Sequence, residues 1–401
     1  MSIFLFSIAS VLSFLFVFTT IVFVHEMGHF LAARVLGFKV ETFSIGFGKP
    51  LLRWMDRYGT QWQIARLPLG GFVKFAGDSG AASVPDTEAL KELKQGITEN
   101  SNAGSVDGIF HFMPLWRRAV VVAAGPVMNF LFAIVIFASF LLVSGKTYRT
   151  TTIGAVIAQS PAERAGFQVG DVIMDANGEK VESFRRLVTI VSISANDPID
   201  FTVKRGQQIL SITAAPETVN EKDPFGRMAN RGFLGIRSID QILKKQYNLG
   251  GAVVEGGKMT QTAIVDQIAF VGRLFRGKGN SEMLGGPLRI FYIAGQVGAG
   301  SMDTEVQDNR TFTQRIIGLI WLAGFLSVAI GLINLAPVPM LDGGHLVFYA
   351  YEAIAGGPLP ERLQIIGFKL GFSAVICLLA FATFNDLRYF NVFGFFGRLV
   401  S

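Results

Sequence analysis

Four stretches of the chain lose almost all of their polar positions: residues 3–33, 119–143, 316–335 and 368–384. Each is close to or longer than the run of about 20 residues that crosses a hydrocarbon core of about 30 Å as a helix. The pattern therefore predicts four transmembrane helices. No Lys or Arg precedes the first stretch, and it outruns the apolar region of about 7–15 residues found in a cleavable leader, so a permanent helix is expected. Between the first two stretches the pattern shortens. Residues 41–75 alternate and are punctuated by glycine, as in TFSIGFG, QWQIARL and LGGFVKFAG, which predicts unusually apolar hairpin strands. Residues 78–108 are rich in Ser, Gly, Asn and Asp and predict a flexible loop.

Between the second and third stretches, residues 152–216 alternate β-type runs with a short helix at SPAERAG and another around 183–191. This predicts one compact α+β domain. Further on, AIVDQIAFVGRLF carries the period of an amphipathic helix. The expected organisation is a first span at 1–34, a β region and loop at 35–114, and a second span at 115–144. A domain follows at 152–216, a linker with amphipathic helices at 217–315, a third span at 316–347, a fourth at 363–387 and a tail at 388–401.

Composition narrows the class. Of 401 residues, 50% are hydrophobic and 16% charged, with a mean hydropathy of +0.44. An ordinary soluble enzyme is excluded; a polytopic membrane protein with some soluble mass is indicated. The formal charge of +6 forms no stripe of the kind nucleic acid requires, and is expected to face membrane lipid. The single cysteine, Cys377, excludes an intramolecular disulfide and leaves the redox compartment open. Nothing basic precedes the first helix, whereas Arg34, Lys39, Lys49, Arg53 and Arg57 follow it, and Arg117 and Arg118 precede the second. The positive-inside tendency places 34–118 in the cytoplasm, with both termini and the long third segment outside.

Chemistry enters where lipid is expected. His25-Glu26-Met27-Gly28-His29 is an H-E-x-x-H sequence inside the first span. Four residues apart on a helix, the two imidazoles share a face and can bind one metal ion, with Glu26 within reach of water as general base. Zinc suits such a set, with three protein ligands and one open position. Ionisable groups at membrane depth are costly and mark function by default. A third ligand is sought in GLINLAPVPMLDGGHL, residues 331–346, where Pro and Gly break the third span, as happens where backbone lines a polar cavity. Asp342 and His345 lie three apart, and chemistry alone allows either as ligand. His111 is expected at the membrane interface. Asn129, inside the second span, either bonds a neighbouring helix or holds substrate.

These residues resemble the site-2 proteases, intramembrane zinc metalloproteases, and most of all the bacterial branch of regulator of sigma-E proteases that acts on anti-sigma factors. HEMGH, GPVMN at 125–129, NLAPVPMLDGG at 334–344, LPLGGFVKFAGD and FNDL at 384–387 carry the resemblance over nearly the whole chain. It implies a polytopic α-helical membrane protein of four transmembrane helices, a membrane-associated β-hairpin region and an α+β PDZ-like extracytoplasmic domain. It makes His25, His29 and Asp342 the zinc ligands and Glu26 the catalytic base. Asn334, Pro337 and Pro339 would shape the loop beside the metal, while Asn129 and the strand with Gly70, Gly71 and Phe72 would position substrate. Expected partners are membrane lipid and single-span membrane proteins such as anti-sigma factors, with no nucleic acid. The expected location is the bacterial inner membrane, with the PDZ-like domain in the periplasm. This branch carries two tandem PDZ domains, and only one is readable here. The rivals are a non-catalytic scaffold binding peptide termini, which a lost ligand would betray, and a transporter, which four spans without an inverted repeat disfavour.

Overall fold

The computed structural model describes residues 3–77, 108–222, 228–276, 285–300 and 310–391. The loop expected at 78–108 lies, except for Gly108, outside the described residues, as does the tail beyond 391. Among the described residues, four helices are long and apolar enough to cross a membrane: α1 (Ile3–Val35), α2 (Leu115–Ser144), Phe312–Asn334 and Glu361–Tyr389. The chain divides into two compact units.

The helical unit comprises Met1–Ala138, Val253–Val265 and Leu284–Ser401. Helix α1 runs into a hairpin of two long strands, β1 (Val40–Met55) and β2 (Gln61–Phe75). The strands fold back on themselves, so that Phe43 faces Trp62 on one side and Val73 on the other. Gly46 and Gly70, both at positive φ, sit at the bends that allow this. The inner half of the hairpin packs Phe43, Val73 and Phe75 against Phe30 and Ala33 of α1 and Val121 of α2.

The segment expected at 316–347 breaks where its Pro and Gly residues predicted: a helix ends at Asn334, a loop follows, and a separate helix spans Asp342–Ala355. Pro337 and Pro339 lack the N–H that a continuous helix needs. A further helix, Pro287–Gly298, falls within residues 217–315, where amphipathic helices were expected but this one was not singled out. It packs with α1 and helix Phe312–Asn334 through Val17, Ile21, Ala294, Leu319 and Leu322. Its first turn is capped from the end of the last helix, where the buried Asp386 of FNDL accepts the N–H groups of Gly286 (2.9 Å) and Arg289 (3.0 Å).

The β-rich unit comprises Ser139–Ala252 and Asp266–Met283. A four-stranded antiparallel sheet holds, in spatial order, Glu179–Lys180, Val172–Ala176, Ile199–Arg205 and Gln208–Ala214. In the strand Ile199–Arg205, Ile199, Phe201 and Val203 point inward, the alternation of a half-buried sheet. They meet Leu187 of helix Phe184–Ile193, which Ser183 caps. The fold continues past the expected boundary at 216. Strand Ile236–Ser238 pairs with Ile153–Val156, and Leu234 belongs to the same core. The stretch after 216 is thus not linker: Glu217–Lys222 pairs with Met228–Phe233, and Ile236–Ser238 and Ile242–Lys245 pair with strands far back along the chain.

Candidate metal centre

The site grows from one face of α1. His25 and His29, one helical turn apart, are both buried, and their Nε2 atoms lie 3.2 Å apart. Helix α2 holds both rings by their other nitrogens. His29 Nδ1 donates to the Val121 carbonyl at 2.9 Å, which leaves its Nε2 lone pair pointing inward. His25 Nδ1 lies 3.3 Å from the side-chain amide of Asn129, whose Oδ1 is otherwise buried without a partner. With the amide turned so that Oδ1 faces the ring, Asn129 accepts the His25 Nδ1–H, and both needs are met at once.

Asp342, the first residue of its helix, closes the triangle. Its Oδ2 lies 3.1 Å from His25 Nε2 and 3.5 Å from His29 Nε2, buried without a hydrogen-bond donor. Three lone-pair atoms this close repel one another unless a cation lies among them. Zinc–ligand bonds of about 2.0–2.1 Å in a tetrahedron require edges of about 3.3–3.4 Å, and the three observed separations bracket that length. The residues present therefore fit a zinc ion. Among the described residues, these three are the group able to hold a metal.

Glu26 stands one position round the helix. Its carboxyl is within hydrogen-bond reach of the Val73 N–H and within electrostatic range of His29, His25 and Asp342. A Cβ on Gly71 would come within 3.0 Å of Glu26 Cγ and 2.8 Å of the Ser44 carbonyl. Gly70 and Phe72 flank it along the same strand, Phe72 stacked on Phe47 with centroids 6.1 Å apart. Of the three, Gly71 borders Glu26 while Gly70 and Phe72 lie against Phe47, and none joins the triangle. Asn334, at the end of its helix, places Nδ2 3.3 Å from His25 Nε2.

The loop that delivers Asp342 is tightly folded. Leu341 N–H bonds the Val338 carbonyl at 3.0 Å, and Met340 adopts φ +95°, a conformation rare for a side-chain-bearing residue. Gly343 and Gly344 press on the loop, where a Cβ would lie 2.3 Å from the Leu335 carbonyl and 2.4 Å from that of Val338. Pro339 in turn abuts Gly371 of the last helix. His345 faces away from the triangle, its ring 5.7 Å from that of Phe368. His111 lies beside Phe110, outside the cluster.

Two positions that sequence reasoning left without a role are part of this construction. A Cβ on Gly125 would stand 2.3 Å from His29 Nε2, and one on Gly28 would stand 2.4 Å from the Ala124 carbonyl. These glycines let α1 and α2 approach closely enough for α2 to hold both imidazoles. Their places inside HEMGH and GPVMN were the available signal.

The model of peptidase family M50 matches residues 13–378. Metalloprotease MmpA of Caulobacter vibrioides is 39% identical over 389 residues, covering 97% of this chain and 98% of that protein. A protein of Agrobacterium fabrum, provisionally named a zinc metalloprotease, is 37% identical, with coverage of 94% and 95%. Among solved structures, the PDZ domain of the SdrC-like protein of Listeria innocua matches at 17% identity and a TM-score of 0.19, covering 23% of this chain and 96% of that one.

Proposed function

The chain belongs to peptidase family M50 and is a zinc metalloprotease of the site-2 type, and we propose that it cuts the membrane-embedded segments of single-span membrane proteins, anti-sigma factors among them. The observation that carries this proposal is the triangle of His25, His29 and Asp342, assembled from helices able to cross a membrane and from the broken segment between them. In this proposal those three side chains hold zinc, which when bound supplies Lewis acidity for the scissile carbonyl and for water.

The rest of the work falls to the chain's own residues. Glu26 takes the proton from the attacking water and returns it to the leaving amine. Asn129 and the Val121 carbonyl hold the two imidazoles in the tautomer that leaves Nε2 free. Asn334 orients the substrate beside His25, and Pro337 and Pro339 keep the Asp342 loop in shape. A transmembrane helix hides its amides in its own hydrogen bonds, so the substrate unwinds before cleavage. The strand through Gly70, Gly71 and Phe72 then receives it as an added strand, next to Glu26.

The protein lies in the bacterial inner membrane with its termini outside, and the β-rich unit is a PDZ-like domain in the periplasm. This orientation rests on the basic residues clustered between the first two spans. In a Cys377→Ser background, the exposed sites Ser211→Cys and Arg57→Cys report it. Only Ser211→Cys is expected to react with an impermeant thiol reagent in intact cells, and equal labelling overturns the topology.

The ligand set is tested by zinc analysis of the purified protein. Asp342→Ala is expected to lose most of its zinc and all cleavage of a model transmembrane peptide, while His345→Ala keeps its zinc. The reverse pattern transfers the role to His345.

A further inference from the structure

The helix that delivers Asp342 is short. Its fourteen residues, Asp342–Ala355, span about 21 Å at about 1.5 Å each. That is less than the hydrocarbon core of about 30 Å, so the bilayer does not hold this helix at both faces. Asp342, Leu346, Tyr349 and Glu352 recur every three or four residues and lie along one stripe. Arg118, Val121, Gly125 and Asn129 form a stripe on α2 in the same way. From Glu352 to Asp342 is about 15 Å of helix, and from Arg118 to Asn129 about 16 Å.

The two stripes are tied together at both ends. At one end Asp342 joins His25 and His29, the rings that Asn129 and the Val121 carbonyl hold. Midway, Leu346 and Tyr349 pack against the cluster containing Val121 and Val122. At the other end Arg118 Nη2 donates to Glu352 Oε1 at 2.6 Å, with the side chains only 12% and 20% exposed. The guanidinium is fixed from two further sides. Its Nε donates to the Met113 carbonyl at 3.2 Å, and its carbon lies 5.1 Å from the centre of the Tyr349 ring. A charge-assisted bond enclosed in this way is strong and directional.

The opposite ends of the helix feel opposite forces. Lipid gives apolar helices no reason to associate, and in the metal-free protein the three ligand atoms repel one another. That repulsion pushes Asp342 away from the histidines. The Arg118–Glu352 bond pulls the same helix toward α2, which holds the imidazoles.

We propose that Arg118 and Glu352 are positioning residues for the metal centre. Their ion pair latches helix Asp342–Ala355 to α2 and keeps Asp342 beside His25 and His29 before a metal binds. The proposal rests on the reading of the triangle as the zinc site. A preformed site binds more tightly, because less ordering remains to be done at the moment of binding. The latch touches neither metal nor substrate, so excess zinc compensates for its loss.

The test uses the full-length purified protein, with zinc affinity read by competition with a chelator and cleavage of a model transmembrane peptide read alongside. R118Q/E352Q leaves no unpaired charge behind. It is expected to bind zinc about tenfold more weakly, the low end of what a charge-assisted hydrogen bond supplies. At saturating zinc its cleavage is expected to return to within about twofold of wild type. Leu319→Ala opens a hole in a separate cluster of the same unit. It is expected to lower the melting temperature and keep zinc affinity, which separates positioning from a general loss of stability. Glu352→Asp keeps the charge but draws the carboxylate back by one methylene, and is expected to lose about threefold in affinity. It carries the test if the double variant does not fold. Wild-type affinity in R118Q/E352Q, or in Glu352→Asp where that variant decides, overturns the proposal. So does cleavage that stays low at saturating zinc, or an equal loss of affinity in Leu319→Ala. Zinc bound equally by wild type and Asp342→Ala overturns the reading of the metal centre itself, and the latch falls with it.

Discussion

The two units place polarity in opposite ways. In the β-rich unit, Phe201 is fully buried while Glu179 and Lys180 face outward, the ordinary order in water. In the helical unit, Asn129 and Asp386 are fully buried, whereas Leu12 is 61% exposed and Leu370 66%. Lipid is as apolar as leucine, so nothing is gained by hiding leucine from it. What must be enclosed are the backbone and side-chain polar groups. The polar residues buried in the helical unit accordingly include the cap Asp386 and, at the site, His25, His29 and Asn129.

The strongest way to break this contrast is to change a polar residue of the helical unit that is proposed to carry chemistry. Glu26→Gln is expected to lower peptidase turnover by about 10²–10⁴-fold while zinc stays bound. Near wild-type turnover in the purified variant would remove Glu26 as base.

A pair of apolar truncations tests the other side. Phe201→Ala leaves a hole in a packed core and is expected to cost about 3–5 kcal/mol, read as faster hydrogen exchange of the strand Ile199–Arg205, with zinc content unchanged. Leu370→Ala, on a lipid-facing surface, is expected to cost about 0.5 kcal/mol or less. Comparable losses at the two positions would mean that Leu370 is covered.

Asn129→Leu keeps the volume of a buried side chain but removes the acceptor for His25. Zinc affinity is expected to fall by about 10–100-fold, as measured by competition with a chelator. Full affinity would make Asn129 a helix-packing residue.

The smallest effect concerns an ion pair of the β-rich unit. The Arg205 guanidinium, joined to Asp171 by two bonds of 2.8 Å, holds that carboxyl below its ordinary value, and the Gln168 N–H adds to the shift. A lowered folded pKa contributes stability that is full above the unfolded value of about 3.9 and is lost as pH falls through the folded one. The stability gap between wild type and Arg205→Gln should hold from pH 7 to 5 and narrow below about pH 4. A gap that persists in acid would assign the effect to packing.

Much of this molecule was legible in the chain itself. Long apolar runs announced the spans, and the four-residue spacing of His25 and His29 put both rings on one face, because helical periodicity relates near neighbours. The same local logic read β-type runs across 152–216, the stretch that holds the strand Ile199–Arg205. It failed for Ile236–Ser238, three residues long and paired with the distant Ile153–Val156, and did not locate the helix Pro287–Gly298 within 217–315. Spacing also left Asp342 and His345 equivalent. Only the folded loop separates them, because Gly343 and Gly344 let it close on the Leu335 and Val338 carbonyls, turning Asp342 toward the histidines and His345 toward Phe368. The motifs marked Gly28 and Gly125, but how tightly they pack between α1 and α2 was not legible, since a missing Cβ has no period. What one stretch of backbone imposes on itself is written in its pattern. What distant stretches impose on each other depends on contacts of a few ångströms that exist only once the chain has folded.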